Sequence, residues 1–382
     1  MAYVAIKGGE NALREAANVM EFLRARSQQD PIEIATIRDQ LHLLVDRVIS
    51  EAGLYDPDLA ALALKQAGGD TLEAAFFLRA YRSTRARLAT TDAHCGQDMR
   101  LIRRISSAFK EIPGGQMLGP TMDYLQRLFR FELLAENSAV FKDIAENWLQ
   151  NHTGEELPDS FPKVLDALRA EGLLPAVEEC KDTAFDITRD PLIFPVNRSA
   201  ALATMTRAET GSILAIAYSN MRGYGDVHPT VAELRVGNVP VILPHPVTGE
   251  PIEIGEVLVT ECEVVAMYNK SKDDPNARPT FTLGYGACFG HNEVKAISMA
   301  ILDRSLQKSL LDKDYRPENP SEDPEFVLLH IDGVDAMGFC THYKMPHYVT
   351  FQSDMDRLRT TQKKAETKND PASNEPLGQL IP

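Results

Sequence analysis

The chain has 382 residues, 44% hydrophobic and 25% charged, the balance of an ordinary globular protein with room for two domains or one large domain with appendages. Lys and Arg total 40 against 55 Asp and Glu, and the net charge of −15 argues against general attraction to nucleic acid or to an anionic membrane surface. Residues 1–10 lack the basic start and apolar run of a signal peptide, no stretch approaches the ~20 apolar residues of a membrane span, and five scattered cysteines fit a reducing compartment, so a cytoplasmic chain is expected.

A short strand over residues 3–6 is expected to lead through Lys7-Gly8-Gly9-Glu10 into a helix carrying Ala12, Leu13, Ala16, Val19, Met20 and Leu23 at helical spacing. Further helical periods run over residues 32–52, 58–66 and 71–88, broken by Gly53 and Gly68-Gly69, with His42 read as a packed residue. Positive charge concentrates at Arg79, Arg82, Arg85 and Arg87, then at Arg100, Arg103, Arg104 and Lys110; a solvated helix face is preferred to an anion site. Residues 110–120, with three glycines and two prolines, form a loop whose backbone can approach a ligand but which lacks the Lys-Ser/Thr ending of a P-loop. Helical periodicity returns over residues 123–150, including Trp148.

The mainly helical N-terminal region, 1–150, is thus followed by a polar connecting segment, 151–190, and an α+β domain, 191–352. Apolar runs at 213–218, 239–243, 256–265 and 326–331 are predicted strands, and residues 292–311 a helix capped by Asn292. Residues 312–324 are expected as a surface loop; within 353–382 a short helix gives way to a polar, partly disordered tail. The fold class is α+β.

The stretch Cys340-Thr341-His342-Tyr343-Lys344-Met345-Pro346-His347 spaces two histidines as zinc sites commonly do. On an ideal helix they would diverge by about 140°, and on a strand they would face opposite sides. Pro346 disfavours helix at Met345, and an extended or turning segment could bring both imidazoles to one ion; two histidines on a strand edge and loop is the plainer alternative. Thr260-Glu261-Cys262-Glu263 puts two carboxylates on one strand face and Cys262 on the other; mutual repulsion could hold one protonated, or the face is simply exposed. Three glycine-rich turns complete the set: Arg222-Gly223-Tyr224-Gly225 ahead of His228, Gly284-Tyr285-Gly286 ahead of a helix N-terminus that could receive an anion, and Asp332-Gly333 after His330.

Residues 3–10 and 62–81, Ile112-Pro113-Gly114-Gly115-Gln116, Arg222-Gly223-Tyr224-Gly225, Thr260-Glu261-Cys262-Glu263, Gly284-Tyr285-Gly286 and residues 342–348 together resemble, in order, the PhnI subunit family of the bacterial carbon–phosphorus lyase core complex. The likeness covers residues 1–355 and is weakest over 136–182 and 312–324. It implies displacement of adenine from MgATP by an alkylphosphonate, giving ribose 1-phosphonate 5-triphosphate, alongside G, H, J and L subunits with two copies per complex, and purine nucleosidase activity when alone. It also implies zinc on His342 and His347, completed by a cysteine of the J subunit, with Cys340 outside the ligand set. For such chemistry Glu261 or Glu263 would stabilise an oxocarbenium-like state, His228 or His330 would assist adenine departure, and Arg222, Gly223, Tyr224, Gly225, Gly284 and Gly286 would hold the nucleotide. The competing expectation is a non-catalytic scaffold lending metal ligands to a neighbour; a lone zinc hydrolase comes third.

Overall fold

The computed structural model describes residues 9–91, 93, 96–151, 161–177, 183–224, 228–269, 278–312 and 314–369; the expected strand over residues 3–6 and the tail beyond 369 lie outside them. Two compact units are formed, residues 31–334, and residues 1–30 with 335–382.

In chain order the helices are α1 (Glu10–Ala25), α2 (Ile34–Gln40), α3 (His42–Ala52), α4 (Pro57–Gln66), α5 (Thr71–Ser83), α6 (Ser138–Asn151), α7 (Val164–Ala170), α8 (Arg198–Met205), α9 (Thr210–Ser219), α10 (Glu293–Leu311), α11 (Pro324–His330), α12 (Gly333–Tyr343) and α13 (Tyr348–Asn369). Asp56 and Asp70 cap α4 and α5 by accepting the N–H groups of Leu59 and of Leu72 and Glu73. Gly53 ends α3 in the left-handed region at φ +64°, as a helix C-terminus favours. Ile37, Val45, Val48, Ile49, Leu64 and Leu78 form the apolar core of α2–α5. The expected single helix over 32–52 breaks at Leu41, α5 stops at Ser83, and His42 is exposed at the start of α3 instead of packed.

Strands β1 (Arg100–Ile105), β2 (Thr230–Pro244), β3 (Pro251–Asn269) and β4 (Thr280–Phe289) form one antiparallel sheet in that order. The α+β class holds, but two expected strands are helices: residues 213–218 lie in α9 and residues 326–331 in and just after α11. A short apolar run does not distinguish a strand from a buried helix. The signal lay upstream, where Glu209 accepts the N–H groups of Gly211 and Ser212, and Asp323 accepts those of Glu325 and Phe326 ahead of Pro324. Over 123–150 only α6 and a single turn at Phe131–Ala135 are helical; Ile144 and Trp148 stay exposed, so no core rewards a longer helix. The helix expected beyond residue 352 begins at Tyr348 and continues to Asn369.

Of the basic cluster, Arg79, Arg103 and Arg104 are buried and structural, Arg82 is half-buried, and Arg85, Arg87, Arg100 and Lys110 are exposed. Arg79 grips Asp332 through two bonds of 2.7 and 2.8 Å, and Arg103 and Arg104 lie on β1, fully buried. Arg103 pairs with Glu293 at 2.7 Å; Arg104 pairs with Glu233 at 2.5 Å and donates to the carbonyls of Pro113 and Gly115, which accounts for the glycine-rich loop over 110–120.

Helix α10 covers one sheet face, packing Met299, Leu302 and Leu306 with Leu234, Cys262 and Val264. Its close approach requires Gly284 and Gly286: a Cβ at Gly284 would stand 2.0 Å from the Ala300 carbonyl oxygen, and one at Gly286 2.2 Å from that of Ala296. Both atoms are backbone and cannot swing aside, so Gly284→Ala should destabilise the chain by about 3 kcal/mol in chemical denaturation. Gly338→Ala, where a Cβ meets nothing within 4 Å, should cost nothing. No helix among the described residues is long and apolar enough to cross a membrane.

Candidate functional site

Helix α12 ends one residue beyond His342, at Tyr343; a turn closed by Lys344 N–H to Thr341 O (3.1 Å) and Met345 N–H to His342 O (3.0 Å) leads to Pro346, and His347 precedes α13. The helical ladder has to stop at Pro346, which has no N–H. The turn brings the two imidazoles together, with Nε2 to Nε2 at 3.2 Å. His342 is itself helical, so of the expected extended segment only the Lys344–Pro346 turn is present. Nδ1 of His347 lies 2.6 Å from the Met345 carbonyl oxygen, which only accepts; Nδ1 therefore donates to it, and Nε2 is the nitrogen turned toward His342. Two imidazole nitrogens on one tetrahedral zinc stand about 3.3 Å apart, so the pair fits the ion implied by the sequence. Among the described residues no group of three His, Cys, Asp or Glu side chains could hold a metal; Cys340 is an exposed free thiol.

The pair opens on a cleft of 750 Å³ lined also by Phe339, Tyr343, Tyr348, Phe351 and Asp354. These residues escaped the sequence reading, although Phe339 with Tyr343 and His347 with Phe351 recur at i, i+4 on either side of the proline. Aromatic faces suit a planar base, and Asp354, exposed and 3.7 Å from Arg357, places a carboxylate in the same cleft.

On the sheet face opposite α10, Glu261 and Glu263 of β3 stand beside Arg235 and Glu233 of β2, with Tyr285 of β4 paired to Glu263. Helix α7 covers this face through Val164, Leu165 and Leu168, and Lys163 before it reaches Glu261 at 3.0 Å and Glu263 at 2.8 Å. The Tyr285 hydroxyl donates to Glu261 at 3.1 Å, and Arg235 lies 3.8 Å from Glu261 and 3.9 Å from Glu233. Burial lifts the Glu263 carboxyl to about 7, Lys163 opposing and Glu261 adding to the rise. Burial also works against the Lys163 charge, but the two glutamates outweigh it and hold the ammonium above the usual lysine range. Cys262 points to the opposite, α10 side, and burial pushes its thiol far up, which leaves it unreactive.

The remaining sequence-nominated residues are dispersed. Arg222 is exposed in the π turn Asn220–Tyr224 and lies over the Tyr218 ring, 5.8 Å from its centre; the same turn holds Gly223 and Tyr224, while Gly225 lies outside the described residues. His228 is exposed before β2, and His330 ends α11 with its ring stacked on Phe326 at 4.7 Å. Among the described residues none of Arg222, His228 and His330 hydrogen-bonds or ion-pairs with Glu261 or Glu263, whose partners are Lys163, Tyr285 and Arg235. The space beside Gly284 and Gly286 is taken by α10.

Residues 2–365 match the family of bacterial phosphonate metabolism proteins PhnI. The chain is 67% identical over 367 residues to the putative C-P lyase subunit protein HtxH of Stutzerimonas stutzeri, covering 96% of this chain and 97% of that one. It is 44% identical over 363 residues (94% and 98% covered) to the alpha-D-ribose 1-methylphosphonate 5-triphosphate synthase subunit PhnI of Escherichia coli K12. The Rhizobium meliloti protein of the same description is 41% identical over 363 residues, with 94% of each chain covered.

Proposed function

The chain belongs to the PhnI family of bacterial phosphonate metabolism proteins, and on that premise we propose that its histidine cleft displaces adenine from MgATP by an alkylphosphonate, within a complex of G, H, J and L subunits present with two copies of this chain. The C1′–N9 bond breaks as a phosphonate oxygen bonds to C1′, and adenine departs with a proton; with water in place of phosphonate the same cleft is a purine nucleosidase. The observation that carries this is the His342–His347 pair, 3.2 Å apart at the Nε2 atoms, beside an aromatic cleft containing a carboxylate. His342 and His347 would hold zinc, which when bound supplies a Lewis acid for anionic oxygen. Phe339 and Tyr343 receive the adenine face, and Asp354 stabilises positive charge developing on the ribose. Glu261 and Glu263, 5% and 6% exposed and bridged by Lys163, serve the fold of the larger unit.

A second role, a non-catalytic scaffold lending two ligands to a neighbour, is favoured by the two-membered ligand set among the described residues. Exposed apolar residues on α1 (Leu13, Met20, Phe22) and α6 (Ile144, Trp148) suit a chain that other subunits cover. Adenine release from ATP separates the two. The purified chain should release adenine, and Asp354→Asn should slow it roughly 100-fold; release only from the assembled complex, indifferent to Asp354→Asn, would leave the scaffold.

A further inference from the structure

The larger unit contains a recess of 280 Å³ that the histidine chemistry does not use. Arg82, from the last turn of α5, and Arg207, just after α8, line it together with Thr188, and Val259, Ala287 and Phe289 of β3 and β4 give it an apolar floor. Asp186 is held by Arg87 and the Thr188 hydroxyl, Asp332 by Arg79 at 2.7 and 2.8 Å, and Arg207 donates to the Ile187 carbonyl at 3.1 Å. Nη1 of Arg82 is buried with no hydrogen-bond partner among the described residues. Burial first, then Arg79, work against the Arg82 charge. Arg82 is half-buried as a whole, but a buried N–H left unpaired is costly, and folded proteins keep such groups where an ion, a ligand or water completes them.

We propose that this recess binds a small organic oxyanion, its carboxylate, phosphoryl or phosphonyl end on Arg82 and Arg207 and a short apolar substituent against Val259, Ala287 and Phe289. The site binds without covalent chemistry. Cys288, also in the wall, is the one thiol at hand, and burial holds it protonated.

Calorimetric titration of the full chain with phenylphosphonate, methylphosphonate, benzoate and inorganic phosphate tests this. Phenylphosphonate should bind about tenfold more tightly than inorganic phosphate, because only it covers the apolar floor. The benzoate arm shows whether a carboxylate serves as well as a phosphonyl group. Arg82→Gln should weaken phenylphosphonate at least about tenfold, Arg82→Lys less so, and the double variant His342→Ala/His347→Ala should leave it unchanged, which separates this site from the histidine cleft. Absence of saturable binding, wild-type affinity in Arg82→Gln, or loss of binding in the histidine variant would overturn the proposal. If Arg82→Gln does not fold, phenylglyoxal labelling of Arg82 in the wild type, read by peptide mass spectrometry, replaces it: phenylphosphonate should slow labelling several-fold, and an unchanged rate refutes the site.

Discussion

Lys163→Met should destabilise the chain by about 3–5 kcal/mol, because it leaves Glu261 and Glu263 buried on one sheet face without the ammonium that bridges them. Removing one partner of a buried ion group costs far more than removing all, so Lys163→Met combined with Glu263→Gln should recover part of the loss. The same network sets a pH dependence. Glu263 has its carboxyl raised from 4.5 to about 7, chiefly by burial, so the folded chain holds that proton more tightly than the unfolded chain. Its contribution is fully present below the unfolded value and is lost as pH rises through about 7. Over that window stability should fall by on the order of 3 kcal/mol in the wild type, and this slope should be missing in Glu263→Gln. Denaturant midpoints of both proteins between pH 5 and pH 8 decide it, and equal slopes would mean that Glu263 titrates normally.

Replacing His342 or His347 by alanine should remove bound zinc from the assembled complex while leaving the stability of this chain unchanged. His347 is exposed and His342 half-buried, each at a helix end, and Nε2 of His347 is turned toward its partner by the bond from Nδ1 to the Met345 carbonyl. Loss of an outer partner already costs 10–100-fold in metal affinity, so loss of a ligand should exceed roughly 100-fold. Metal content by plasma emission, read beside thermal unfolding of the isolated chain, gives the answer; zinc retained in either variant would place the metal elsewhere.

Much of the fold was legible from local chemistry. Asn292 marks a helix start, Gly53 marks a stop, and the β-branched runs of β2 and β3 read as strands. The runs at 213–218 and 326–331 read as strands because apolar residues at buried positions look alike in either structure, and only the acidic caps ahead of them, Glu209 and Asp323, mark them as helices. The alternation Glu261-Cys262-Glu263 correctly put the carboxylates on one face and the thiol on the other, since a strand's period of two is fixed by covalent geometry.

The sequence by itself determined the class and the strand face of the glutamates and singled out His342 and His347 as a candidate pair, all of which follow from local pattern along the chain. Tertiary structure decided what those groups touch. Lys163 lies 98 and 100 residues from the glutamates it bridges, Arg79 lies 253 from Asp332, and Arg104 lies 129 from Glu233; pairings across such separations exist only once the sheet and helices have packed. It also took Arg79, Arg103 and Arg104 out of the basic cluster and into buried pairs, because burial is a property of the fold and leaves no mark in the spacing of charges.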